Sequence, residues 1–79
     1  MKIYISGLQP NVDSDRLSER LSYFGPVNNV TIIREGDPDK PVAIVDMEIS
    51  ASAATLVARR INGIYFVDRF LQAHVMAQG

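Results

Sequence analysis

The sequence has no cysteine, no tryptophan and a single histidine, His74. Without cysteine, disulfide bonds and cysteine-ligated zinc sites are excluded. The 8 Lys and Arg residues against 9 Asp and Glu residues give a net charge of −1, which excludes a ligand held mainly by a strongly basic surface. No apolar run approaches the roughly 18 residues of a membrane-spanning helix. We therefore expect no metal, no cofactor and no membrane as partners.

The composition that is present is typical of a small globular protein. Of the 79 residues, 47% are hydrophobic and 22% are charged, which is enough for one modest core. We expect a single domain over residues 1–79. A strand pattern begins at Lys2, so we expect no signal or transit peptide and an intracellular location, either the cytoplasm or, in a eukaryote, the nucleus.

The first half of the chain alternates between strand and helix patterns. Ile3 and Ile5 alternate with more polar neighbours, which predicts a first strand. Asp13 is the predicted N-cap of a helix that ends at Gly25-Pro26. The apolar face of this helix has the i, i+4, i+7 spacing of Leu17, Leu21 and Phe24. β-Branched residues over 27–33 predict the second strand.

The second half continues in the same way. Residues 42–49 are the predicted third strand, and a polar loop over 36–41 precedes it. Ser50 or Ser52 is the expected N-cap of a second helix. The apolar stripe of this helix consists of Ala54, Val57, Ala58 and Ile61. Asn62-Gly63 ends the helix, and alternation at Leu71, Ala73 and Val75 predicts the last strand.

The resulting order is β-α-β-β-α-β. Such a chain forms an α+β, ferredoxin-like βαββαβ sandwich, in which a four-stranded antiparallel sheet carries both helices on one face. The other face of the sheet stays open. Because the core already uses the helix side, we expect the open face to carry the function.

Two segments on neighbouring strands match known motifs. Ile3-Tyr4-Ile5-Ser6-Gly7-Leu8 follows the hexamer aliphatic, aromatic, aliphatic, any, Asn, Leu, with Gly in place of Asn. Lys40-Pro41-Val42-Ala43-Ile44-Val45-Asp46-Met47 matches three of the seven specified positions of the octamer K/R-G-F/Y-G/A-F-V-x-F/Y. With Phe24-Gly25-Pro26-Val27 and Ile61-Asn62-Gly63 at the two helix ends, the chain resembles the RNA recognition motif family over nearly its whole length.

This resemblance implies a non-enzymatic domain that binds single-stranded RNA on its open sheet face. Tyr4 is then the ring that stacks on a base, lysines meet phosphates, and polar side chains read base edges. The predicted RNA-binding residues are Lys2, Tyr4, Asn29, Thr31, Lys40, Val42, Ile44, Gln72 and His74.

The departures from the octamer predict weak binding. Val42 and Ile44 stand where the family has stacking aromatics. A base–aromatic stack is worth about 1–3 kcal/mol, and an aliphatic side chain recovers only part of it. Asp46 and Glu48 are expected on the same face, where their charges oppose phosphates.

A second hypothesis uses the same face for protein. Val42, Ile44, Tyr4, Ile33 and Met76 are expected to form an apolar patch, which is typical of a protein–protein or homodimer interface. Catalysis is the weakest hypothesis, because the carboxylate pair of Asp46 and Glu48 has no histidine, cysteine or phosphate-binding loop beside it.

Overall fold

The computed structural model describes residues 1–76 of the chain. Their elements are β1 (Lys2–Ser6), α1 (Ser14–Leu21), β2 (Val27–Ile33), β3 (Val42–Met47), α2 (Ala51–Ile61), β4 (Tyr65–Phe66), β5 (Arg69–Phe70) and β6 (Gln72–Val75). The predicted domain runs to residue 79, and residues 77–79 lie outside the described part. Neither α1 nor α2 is long and apolar enough to cross a membrane.

Four of the strands form one antiparallel sheet with the order β2-β3-β1-β6. The two helices follow β1 and β3, so the element order is the predicted β-α-β-β-α-β with a small addition, the two-stranded hairpin β4–β5. The predicted ferredoxin-like α+β fold is therefore confirmed.

Both helices begin at the expected caps. The Asp13 carboxylate accepts a hydrogen bond of 2.8 Å from the Asp15 N–H, which occupies one of the free donors at the start of α1. At α2 the cap is Ser50, whose hydroxyl oxygen accepts from the Ala53 N–H at 3.2 Å. Of the two serines that the sequence offers, Ser50 is thus the N-cap.

One hydrophobic core lies between the helices and the sheet. Every second residue of β1 and β3 points into it, and the helices add the side chains at i, i+3, i+4 and i+7. Its buried members include Ile3, Ile5, Leu17, Leu21, Ala43, Val45, Met47, Val57, Ile61 and Leu71. Burying one Leu or Ile side chain stabilises the fold by about 1.5–3 kcal/mol relative to leaving it exposed.

A β-bulge in β2 decides which of its side chains face the core. Val27 pairs with Met47 and Asn29 pairs with Asp46, so Asn28 is an extra residue without a partner in the ladder. The bulge explains the three-residue spacing between Val27 and the next core-facing residue of β2. It also puts Asn29 on the open face, as predicted.

Asn62, directly after α2, ties that helix to β6. Its side-chain amide donates to the carbonyls of Ala58 at 3.0 Å and Ala73 at 2.6 Å, and its carbonyl oxygen accepts from the Ala73 N–H at 2.9 Å. The sequence indicated only that Asn62-Gly63 ends the helix. In the structure Asn62 also holds β6 in position, and with it the polar side chains that β6 presents on the open face.

Two predicted element ends are wrong, and one hairpin was missed. α1 ends at Leu21 instead of at Gly25-Pro26. β3 ends at Met47 instead of residue 49, because β2 begins only at Val27, opposite Met47. The hairpin β4–β5 falls in a region for which the sequence predicted no regular structure. Its turn residues Val67 and Asp68 both have positive φ, 46° and 66°.

Candidate nucleic-acid interface

The open face of the sheet is organised in rows that run across the strands. The central row is Thr31, Ile44, Tyr4 and His74, in the order β2, β3, β1 and β6. Side chains directly opposite on neighbouring strands are about 4.5–5.5 Å apart at Cβ, so the members of a row contact one another. Four of the predicted RNA-binding residues therefore form one continuous line.

Within this row the Tyr4 and His74 rings are stacked. Their centroids lie 4.9 Å apart and their planes are inclined by 26°. His74 is exposed and Tyr4 is half-buried. The pair comes from the direct register of β1 and β6, which sequence alternation alone does not give. The structure thus joins two residues that the sequence treated separately into one aromatic unit.

A polar row and a mixed row flank the central row. Asn29, Asp46 and Lys2 form the row toward the start of β1. On the other side Ile33 lies opposite Val42, and Ser6 lies opposite Gln72. Eight of the nine predicted residues lie on this one face: Lys2, Tyr4, Asn29, Thr31, Val42, Ile44, Gln72 and His74.

Lys40 lies outside the strands, in the polar loop predicted over 36–41. β3 begins at Val42, and Lys40 lies in the preceding turn, where its N–H donates to the Asp37 carbonyl at 3.0 Å. The reason is Pro41, which has no N–H to offer to a ladder. Lys40 is exposed at the rim of the sheet, and its contact with RNA stays a prediction.

The charges on the face are also balanced differently from the expectation. The Asp46 carboxylate lies 3.8 Å from the α-amino group of Met1 and directly opposite Lys2, so its negative charge is partly offset. Glu48 lies beyond the end of β3, and its carboxylate accepts a hydrogen bond from the Asn28 side chain. The face is therefore less repulsive to phosphate than the sequence predicted.

The apolar part of the face is smaller than the predicted patch. Ile33, Val42, Ile44 and Tyr4 are half-buried and adjacent in register. Met76 is separated from them, because its N–H donates to the Lys2 carbonyl and it lies at the end of the polar row. Four of the five predicted members remain together.

A second aromatic pair lies on the hairpin β4–β5 and was not predicted from the sequence. Tyr65 lies opposite Phe70, and their rings are stacked with centroids 5.3 Å apart. The Tyr65 hydroxyl donates to the Asp68 carboxylate at 3.0 Å. This hydrogen bond, together with the negative charge of Asp68, raises the pKa of Tyr65 above its ordinary value of 10.0.

Among residues 1–76, no three His, Asp or Glu side chains come together in a way that would hold a metal ion. What the open face offers is a stacking unit, aliphatic neighbours and hydrogen-bonding groups.

A two-layer α+β domain with this strand order belongs to the class of ferredoxin-like folds. The match to a family model is more specific, since the RNA recognition motif model matches residues 3–72. The chain therefore belongs to the RNA recognition motif family. No curated protein sequence matches it.

Solved structures of this family are similar to the chain in fold. The third RNA recognition motif domain of Mip6 superposes with a TM-score of 0.82 at 15% identity, covering 92% of this chain and 88% of that one. RNA Binding Protein PG1 gives 0.81 at 21% identity, covering 100% and 96%. The Rna15 domain, solved with bound RNA (GU), gives 0.78 at 16% identity, covering 98% and 83%.

Proposed function

We propose that this domain binds single-stranded RNA weakly across the open face of its sheet. The observation that carries the proposal is the central row, in which the Tyr4 ring stands on the open face of an RNA recognition motif, stacked on His74 and opposite Ile44. A base that stacks on Tyr4 meets apolar contact from Ile44 on one side. The bound RNA of the similar Rna15 domain supports the same class of ligand.

Weak affinity follows from the rings that are missing. Val42 and Ile44 occupy the positions of two stacking aromatics. Each replacement removes part of the binding free energy of about 1–3 kcal/mol that a base–aromatic stack supplies. Lys2 is the one lysine within the strands of the sheet among residues 1–76, and Asp46 lies opposite it. Because few cations face the ligand, we expect only a shallow dependence of affinity on salt.

In this proposal, the polar side chains of the open face recognise the base sequence of the RNA. Asn29 and Thr31 present an amide and a hydroxyl from β2, and Gln72 presents an amide from β6. The Asn29 amide and the Thr31 hydroxyl are 3.4 Å apart, so each orients the other. Such groups form hydrogen bonds with the edges of unpaired bases.

An amide chemical-shift titration with a degenerate single-stranded octanucleotide tests the proposal. Saturable shifts along the central row are expected, larger at low salt than near physiological salt. Tyr4→Ala should weaken binding about tenfold, the lower part of the range for one lost stack. Binding that is unaffected by this substitution would move the site off the sheet.

The alternative ligand is a protein or a second copy of the chain on the same face. The adjacent half-buried side chains of Ile33, Val42 and Ile44 favour it, because they are aliphatic where rings would favour RNA. Sedimentation at high concentration separates the two proposals. A dimer that dissociates when the degenerate octanucleotide is added would assign the face to self-association in competition with RNA.

A further inference from the structure

The aromatic pair of the β4–β5 hairpin is largely exposed. Tyr65 is 55% exposed and Phe70 is 69% exposed, although each ring is stacked on the other. Rings that serve only folding lose most of their surface to the core. Here it is the opposite side of the hairpin, with Phe66, that packs against the core.

The burial pattern after the hairpin indicates which side of the sheet Phe70 faces. Leu71 and Ala73 are buried on the helix side. Alternation therefore places Phe70 on the same side as Gln72 and His74. The four steps along the chain from Phe70 to His74 span about 13 Å at roughly 3.3 Å per residue. One chain segment thus carries an exposed ring at each end of this span.

The hairpin is held firmly where it meets the sheet. Gly7, at the end of β1, has φ +84°, and a Cβ built on it would lie 2.4 Å from the Phe70 carbonyl oxygen. The Leu71 N–H donates to the Ile64 carbonyl, and the Gly63 N–H donates to the Leu71 carbonyl, both at 2.8 Å. The Phe70 backbone is thereby held close to β1.

We infer that Tyr65 and Phe70 form a second base-stacking site, which receives a base of the same single-stranded RNA that is bound at Tyr4. The inference rests on the proposed function. A two-ring stack presents aromatic surface to an unpaired base without sequence preference, as in other single-strand-binding surfaces. The Tyr65–Phe70 pair thus adds a stacking contact at the end of the open face. The aliphatic residues of β3 do not supply such a contact.

The test compares Phe70→Ala with Tyr23→Ala for binding of a degenerate single-stranded octanucleotide. Tyr23 is a matched control, because it is 82% exposed and lies after α1, beside Leu56 of α2. Phe70→Ala should weaken binding about fivefold, the low end for one stacked base. Tyr23→Ala should leave the affinity unchanged, and Phe70→Tyr should restore it.

Two further readouts separate a stacking contact from a merely structural role. The effect of Phe70→Ala should be smaller for a degenerate dinucleotide, which fits on Tyr4 without reaching the hairpin. The Tyr65 and Phe70 ring resonances should shift when the octanucleotide binds. Equal losses of affinity in Phe70→Ala and Phe70→Tyr would overturn the inference, since the second variant keeps the ring.

Failure of the inference is distinguishable from failure of the proposed function. If Tyr4→Ala weakens octanucleotide binding and Phe70→Ala does not, the second site is refuted and the sheet remains the RNA platform. If the unmodified protein shows no saturable shifts with the octanucleotide at low salt, the proposed function is itself refuted.

Discussion

Replacing Ile44 with phenylalanine should strengthen RNA binding if the open sheet face is the binding surface. Ile44 lies in the middle of the central row, directly opposite Tyr4 on β1 and Thr31 on β2. It is half-buried on the open side, while its chain neighbours Ala43 and Val45 are fully buried in the core. A larger side chain at position 44 therefore extends over the sheet without entering the core.

The size of the effect follows from what the ring adds. A base stacked on an aromatic side chain gains about 1–3 kcal/mol, and the isoleucine already supplies part of this through apolar contact. We take the net gain as about 1 kcal/mol, which corresponds to a roughly fivefold lower Kd. A gain of affinity is more informative than a loss, because a misfolded variant does not produce it.

The assay is a fluorescence anisotropy titration of a labelled degenerate octanucleotide at low salt. Leu56→Phe is the matched control, since it makes a similar aliphatic-to-aromatic change at a residue of α2 that is 60% exposed. Tighter binding by Ile44→Phe together with unchanged binding by Leu56→Phe is the expected result. If both variants gain affinity equally, the added ring acts through non-specific hydrophobic contact. If Ile44→Phe gains no affinity, bases do not stack on the central row.

Three further predictions concern the supports of this surface. Asn62→Ala should lower the free energy of unfolding by about 1–3 kcal/mol in a urea titration, because it leaves two backbone groups of β6 without their side-chain partner. Gly7→Ala should lower the free energy of unfolding by about 1–3 kcal/mol more than Gly36→Ala in the same assay. Both glycines have positive φ, but of the two only Gly7 has an atom where a Cβ would lie. Equal losses of stability would show that backbone conformation alone matters. Asp68→Asn should lower the pKa of Tyr65 toward 10.0 in an NMR titration of its ring. Because the pKa is raised in the folded state, the hydrogen bond between Tyr65 and Asp68 stabilises the fold below about pH 10. This stabilisation is lost as the pH rises through the raised pKa.

The strands and helices that periodicity describes were predictable from the sequence. β1, α1 and α2 have enough residues for alternation or a 3.6-residue stripe to show, and Asp13 marks a helix start with side-chain chemistry. The hairpin β4–β5 was missed because two-residue strands have no period to read. Its turn, Val67-Asp68, also lacks the Asn-Gly or Asp-Gly signal that usually marks such a connection.

The candidate site was predictable only to the level of which face each residue occupies. Alternation placed Tyr4 and His74 on one side of the sheet, but their contact depends on the pairing of β1 with β6, which is a long-range property of the fold. Lys40 was placed in the loop before β3, where it lies, because Pro41 has no N–H with which to start the ladder. The position of the Met1 amino group beside Asp46 has no local sequence signal at all.

The Asn62 amide has a consequence for how copies of this domain meet. β6 is an outer strand of the sheet, and the Ala73 N–H and C=O on its outer edge are the groups that would pair with an incoming strand. An unoccupied edge of this kind is a template for aggregation by backbone pairing. Asn62 occupies both groups with one side chain and so interrupts the edge in the middle of β6. Backbone pairing of a second chain with this edge of the sheet is therefore interrupted at Ala73.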